Sequence, residues 1–137
     1  MNLDSIIAKL NKHFANSFKT NQPVTEEEII KVESELGLYL PDELKLILKF
    51  SNGIEEVIKN SKTQELMSIS YIIYSINMML IQTIFYRNNY CLQNCIVFSD
   101  DGIGNSFMYN IVNNSVYIYY SIDGELEKYA ESIEEYL

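Results

Sequence analysis

The pair Asn113-Asn114 lies between two stretches, 105–112 and 115–121, whose side chains alternate with a period of two, and this arrangement leaves the chain little local choice. Asparagine accepts the left-handed backbone of a tight turn, so the two stretches are predicted to close as an antiparallel hairpin. A two-residue loop would place Ile111 opposite Val116, Tyr109 opposite Ile118 and Phe107 opposite Tyr120 on one wholly apolar face. The other face pairs Val112 with Ser115, Asn110 with Tyr117, Met108 with Tyr119 and Ser106 with Ser121, a mixed surface suited to water. Before the hairpin, residues 96–99 read as a further strand and 100–104 as a turn. After it, Asp123-Gly124 opens another turn and 129–137 reads as a short closing helix with Ile133, Tyr136 and Leu137 inward.

The first half has the helical period instead. Leu3, Ile6, Ile7, Leu10 and Phe14 recur at three and four residues. Thr25 followed by Glu26, Glu27 and Glu28 forms a capping box, with acids in the first turn where the helix dipole favours them. Ile29, Val32 and Leu36 continue its apolar stripe, and Gly37 stands where a left-handed residue ends a helix. Pro41, Asp42 and Glu43 start a third helix, with Leu44, Ile47 and Leu48 inward and Ser51-Asn52-Gly53 as its stop. Three helices are thus expected before the first convincing strand, with 16–23 as a polar connector.

Between the halves runs a charge-free stretch, 66–86. Its length would reach across a bilayer, but Ser68, Ser70, Ser75, Asn77, Gln82 and Thr83 would each need an internal partner in hydrocarbon. It is read as a short strand, 66–70, and a mostly buried helix, 72–86, through Ile73, Ile76, Leu80 and Ile84. Residues 1–10 lack the basic start and apolar run of a secretory signal, so a cytoplasmic location is expected.

Charge bounds the partners. With 19 acidic against 10 Lys and Arg residues the formal net charge is −9, and the acidic excess falls in 25–56 and 97–137. Such a surface repels a phosphate backbone and suits a basic protein partner. Chemistry-bearing groups are sparse. His13 is the sole histidine and has no nucleophile at a companion spacing. Cys91 and Cys95, four apart, lack the further ligands of a zinc site. Asp100-Asp101 lacks the alternating acids of a calcium loop and reads as a turn whose side chains hold backbone amides. Gly102-Ile103-Gly104 leads into a strand where a dinucleotide fingerprint needs a helix. No catalytic, cofactor-binding or metal-binding residue is assigned, and a hydrolase or metal enzyme built on Asp100 and Asp101 would lack a second constellation. Eleven tyrosines in a chain without Trp supply aromatic surface for packing and for contact.

Several segments taken in order resemble the SUKH superfamily. Glu33-x-x-Leu36-Gly37-x-x-Leu40-Pro41-x-x-Leu44, followed by Phe50 and Asn52-Gly53, is similar to its N-terminal signature. Residues 96–107, Ile-Val-Phe-Ser-Asp-Asp-Gly-Ile-Gly-Asn-Ser-Phe, are similar to its central strand, glycine turn and strand, and Ser132-Ile133-Glu134-Glu135-Tyr136-Leu137 to its closing helix. Asn105 stands where the family usually carries Asp, and Ile133 where an aromatic is usual. The resemblance, over 24–137, implies one α+β domain spanning 1–137, with N-terminal helices, a mixed, bent sheet ending in an antiparallel hairpin, and flanking helices. It also implies that the activity is an interaction: bacterial members neutralise polymorphic toxins, often nucleases or deaminases, and a fungal branch regulates cell-wall glucan synthesis. The expectation is therefore a non-enzymatic immunity protein, monomeric or weakly homodimeric, whose partner is a cognate, basic toxin domain and neither nucleic acid nor membrane. The alternative is a regulatory or scaffold module for an endogenous protein. The residues expected at the interface are Glu55, Glu56, Asp100, Asp101, Tyr117, Tyr119, Asp123 and Glu125.

Overall fold

The computed structural model describes residues 2–14 and 17–137. In chain order the elements are α1 (Leu3–Phe14), β1 (Phe18–Thr20), α2 (Glu26–Leu36), α3 (Asp42–Phe50), β2 (Ile54–Lys59), β3 (Leu66–Ile73), α4 (Ile76–Tyr90), β4 (Cys95–Asp100), β5 (Ser106–Asn110), β6 (Ser115–Tyr120), β7 (Glu125–Ala130) and α5 (Ile133–Tyr136). The fold is α+β. The mixed ladder implied by the resemblance resolves into two antiparallel sheets, ordered β1-β2-β3 and β4-β5-β6-β7.

The helical half follows its sequence signals. The Thr25 hydroxyl accepts from the Glu28 amide, and the Glu28 carboxylate accepts from the Thr25 amide. Gly37 ends α2 at φ 68°. The signature Glu33 is buried and accepts from the Leu40 amide at 2.7 Å and from Lys45 at 3.2 Å. A carboxylate inside the α2–α3 corner is thereby satisfied by a main-chain donor and a cation, which is what burial of a charge requires. The motif around Glu33, Gly37 and Leu40 is thus a corner brace.

Asn52-Gly53 makes a second joint. The Asn52 side chain accepts from the Ile76 amide at 2.8 Å, tying the end of α3 to the start of α4. Gly53, at φ 80°, lies so near the β3–α4 corner that a Cβ would meet the Ser75 nitrogen at 2.8 Å. No side chain fits there. The Tyr74 amide donates to the Phe98 carbonyl, and this bond brings β3 against β4 and the two sheets together.

Several expectations are corrected. Of the polar connector 16–23, Asn16 lies outside the described residues, and the rest holds a strand. β1 pairs with β2, and Asn21 and Val24 donate main-chain bonds to Ser51 Oγ and the Leu48 carbonyl. Two strands therefore precede β3, built from residues too few or too polar to show a period. The strand expected over 66–70, β3, runs to Ile73 and the helix expected over 72–86 starts at Ile76, capped by Ser75 Oγ. Its buried residues are Ile76, Met79, Thr83 and Tyr86, whereas Ile84 is 39% exposed. A helix whose apolar residues lie on every side gives periodicity no face to choose, and a polar residue decided it: Thr83 Oγ1 accepts from the Val97 amide, at the irregularity in β4. The closing segment splits into β7 and α5, because Glu125 to Tyr129 extend the second sheet before Ser132 caps the last helix.

The hairpin β5–β6 forms with a four-residue loop, not two. Asn110 pairs with Ser115, Tyr109 with Val116 and Phe107 with Ile118. The Asn110 side chain accepts from the Val112 and Asn113 amides and Asn114 takes φ 55°, so the turn begins two residues earlier than the Asn-Asn pair suggests. A shift of two leaves every side chain on its expected face. The supposedly wet face is covered, however: Met108 is fully buried, and Ser106 and Tyr119 lie under Tyr86 of α4. On the opposite face Phe107 meets Tyr136 of α5, and one cluster of buried residues runs from Ile6 to Ile133.

Candidate interaction surface

Strand connectivity gathers the acids. The β4–β5 and β6–β7 turns both lie at one end of the four-stranded sheet, since β4 enters the first and β6 enters the second in the same direction. Asn105 joins them: its Oδ1 accepts from the Ser121 amide at 3.1 Å, and its Nδ2 donates to Asp101 at 2.8 Å. Asp100, Asp101, Asp123 and Glu125 are thereby brought to one rim. An Asp at 105 would keep the first bond and lose the second, so the amide suits this pair of turns better than the acid usual in the family.

Within that rim the acids differ. Asp101 accepts from the Ile103 and Asn105 amides at 2.9 and 3.1 Å. Partial burial works against its charge, but these bonds prevail and hold the carboxyl below its ordinary range. Asp100 accepts from the Gly102 amide at 2.8 Å and from the Tyr74 hydroxyl at 2.5 Å. Burial first, and then the neighbouring Asp100, push the Tyr74 phenol well above its usual value, so it remains a donor. Among the described residues Asp123 accepts only from the Glu125 amide, and Asp123 and Glu125 are exposed. Asp100 and Asp101 hold the turn, whereas Asp123 and Glu125 are presented to solvent. A hydrolytic or metal-binding role for the Asp pair would compete with these internal bonds.

The remaining expected residues go elsewhere. Glu55 and Glu56 lie on β2 in the other sheet. Glu55 is held by Asn21 at 3.0 Å and lies 3.9 Å from Lys19; the bond from Asn21, then one from Ser68, lower its pKa. Glu56 is half-buried opposite Ser70. Tyr117 is near the far end of β6, where its hydroxyl accepts from Asn113 Nδ2. Tyr119 belongs to the acidic end but is only 7% exposed. Its ring lies 5.2 Å from Tyr86 and 5.1 Å from Tyr90, and its hydroxyl is 3.4 Å from where a Gly124 Cβ would stand.

The exposed aromatic groups of this corner were missed. Tyr90 is 45% exposed and Phe85 lies 6.0 Å from it; together with Tyr86 and Tyr119 they form a cluster that reaches the β6–β7 turn. The signal lay in α4, where Ile81, Ile84, Phe85, Asn88 and Asn89 are all exposed and uncharged. A helix surface without charge is unusual for water and suits contact.

The closing motif is also structural. Ser132 caps α5, the Glu43 carboxylate accepts from the Ile133 and Glu134 amides, and Lys9 donates to the Glu134 carbonyl. Ile133 is fully buried, so an aliphatic residue fills the place usual for an aromatic. Tyr136 meets Phe98 edge to face with ring centres 5.1 Å apart, and burial pushes its phenol up to about 12. All three motif blocks therefore have observed packing roles. Residues 23–137 match the family described as SMI1 / KNR4 family (SUKH-1). The chain belongs to the SMI1/KNR4 family. The match covers α2 through α5 and contains both sheets except β1. No curated protein matches the chain significantly. In this SUKH-1 member no described helix is long and apolar enough to cross a membrane. Cys91 is exposed at the end of α4 and Cys95 is buried, its thiol pushed up to about 11 by burial.

Proposed function

We propose that this SUKH-1 chain is an immunity protein that binds the toxic domain of a cognate polymorphic toxin and covers its active site. Its contact surface is the acidic end of the four-stranded sheet together with the aromatic corner of α4. The observation that carries the reading is that the Tyr86–Tyr90–Tyr119 cluster, with Tyr90 and Phe85 exposed, reaches the β6–β7 turn, whose Asp123 and Glu125 are solvent-facing. Charged groups at a rim and aromatic groups at its centre are the composition of a specific protein contact.

The acids determine which partner fits. Toxin domains that act on nucleic acid bind phosphate with Lys and Arg, and a rigid cluster of carboxylates presents that surface with complementary charge. Because Asp100, Asp101 and Asn105 fix the two turns internally, Asp123 and Glu125 are held in position before binding, and little ordering is left to do. A contact of ordinary size, about 1,600 Å² in total, would cover this rim and the exposed face of α4.

The test is co-expression of the chain with the toxin-like domain encoded beside its gene, scored by survival and by isolation of the complex. Rescue with a stable 1:1 complex is the expected result. If that domain kills regardless, or no such domain is encoded there, the immunity reading fails and a regulatory module for an endogenous protein takes its place.

A further inference from the structure

The outer strands of the two sheets are guarded differently. β7, the outer strand of the four-stranded sheet, carries Glu125, Glu127 and Lys128, charges that discourage a further strand from adding. β1 offers an edge of only three residues. The outer edge of β3 meets β4 only near its end, through Tyr74 and Ser99, and from Leu66 to Ser70 it holds no charge and no proline. Leu66, Met67 and Ile69 are 62, 42 and 49% exposed there, and Ile58, opposite Met67, is exposed beside them. The register with β2 shifts beside Ile69, which confines the regular edge to the outer part of the strand.

We propose that this edge is a self-association surface, at which a second copy of the chain adds its own β3 antiparallel and two three-stranded sheets become one of six. Two observations select a second copy as the occupant. Each chain carries a net charge of −9, so two copies repel one another over most approaches, yet no formal charge lies between Glu65 and Arg87. The edge of β3 falls inside that interval, where like-charge repulsion is least. Antiparallel addition about a two-fold axis is also self-complementary, because each strand offers the donors and acceptors that its twin lacks. A basic partner gains no charge complementarity from this edge. The contact is short, well below the roughly 800 Å² per partner of a stable complex, so association is concentration-dependent. This inference stands apart from the proposed function, since the acidic rim lies on the other sheet.

Sedimentation equilibrium of the purified chain from ~10 μM to ~1 mM tests it, a range that brackets weak association. The mass is expected to climb from 15.9 kDa toward twice that value, more readily in high salt, which screens the remaining repulsion. Met67→Lys and Ile69→Lys each reduce the net negative charge, yet each should weaken association at least tenfold, because the new ammonium would be buried at the paired edge. Both sites are exposed in the single chain, so the variants should fold. Hydrogen exchange of the 66–70 amides should slow as concentration rises. A mass that stays at one chain throughout would overturn the proposal. So would association unchanged in both variants, or association without slower exchange at 66–70.

Discussion

The two sheets are made of similar strands and are treated in opposite ways. The four-stranded sheet lies between α4 and α5, so both faces are covered, and its outward parts are reduced to turns and a charged outer strand. The β2–β3 hairpin has its inner end, Ile54 and Ile73, in the core, while its outer end shows apolar side chains on both strands. Exposure of an apolar residue therefore means different things in the two places. In β4, β5 and β6 an apolar side chain is packing; in the outer hairpin it is free for something else. The same division separates scaffold from contact within the acidic turns, where the Asp100 and Asp101 carboxylates are each engaged by several internal donors and Asp123 and Glu125 face water.

The sharpest way to break this comparison is truncation on each side of it. Met108→Ala in β5 removes a fully buried side chain and should cost about 3 kcal/mol, whereas Met67→Ala in β3 should stay within about 0.5 kcal/mol at concentrations where the chain is single. Chemical denaturation measures both. Equal losses would show that the outer hairpin is as well packed as the four-stranded sheet.

A smaller effect separates the turn-holding acids from the presented ones. Asn105→Asp loses the donor to Asp101 and sets two carboxylates together, so it should destabilise by about 1 kcal/mol near neutral pH. The loss should shrink as pH falls and one carboxyl takes a proton. The sign for Asp101 itself runs the other way. Its folded pKa lies below the ordinary 3.8, so its bonds contribute fully above that value and are lost as pH drops through the lower, folded one. Asp101→Asn should therefore flatten the acid limb of the stability curve. Melting temperature followed from pH 7 to pH 2 reads the change.

The smallest expected effect has the opposite sign. Cys91 ends α4 in the left-handed region at φ 56°, so Cys91→Gly should relieve backbone strain and stabilise the fold by about 0.5–1 kcal/mol. A thermal melt reads it directly, and a loss of stability would mean that the Cys91 side chain holds the corner next to Tyr90.

These contrasts also explain what could be read from the residues. Capping at Thr25, the stop at Gly37 and the faces of β5 and β6 were legible because each depends on near neighbours. The four-residue loop was not, since the Asn110 side chain competes with Asn113-Asn114 for the turn, and spacing alone cannot weigh one Asn against another. The inward face of α4 was hidden because its decisive residue, Thr83, bonds across the sheet to Val97, a partner 14 residues away. Among the site residues, the clustering of Asp100, Asp101, Asp123 and Glu125 follows from strand order, which the antiparallel direction of the hairpin sets whatever its loop length. Tyr90 was missed because its exposure depends on how α4 rests on β6. Glu55 was chosen for its charge, and its bond to Asn21 needed β1, a strand too short to show a pattern.

The most direct test of the central claim is calorimetric affinity for the neighbouring toxin domain at low and high salt, comparing the native chain with Asp123→Asn/Glu125→Gln and with Tyr90→Ala. The double variant should lose at least tenfold in affinity with a flatter salt dependence, and Tyr90→Ala at least tenfold with the salt dependence retained. Affinities within twofold of native for both variants would contradict that claim and place the contact on another face.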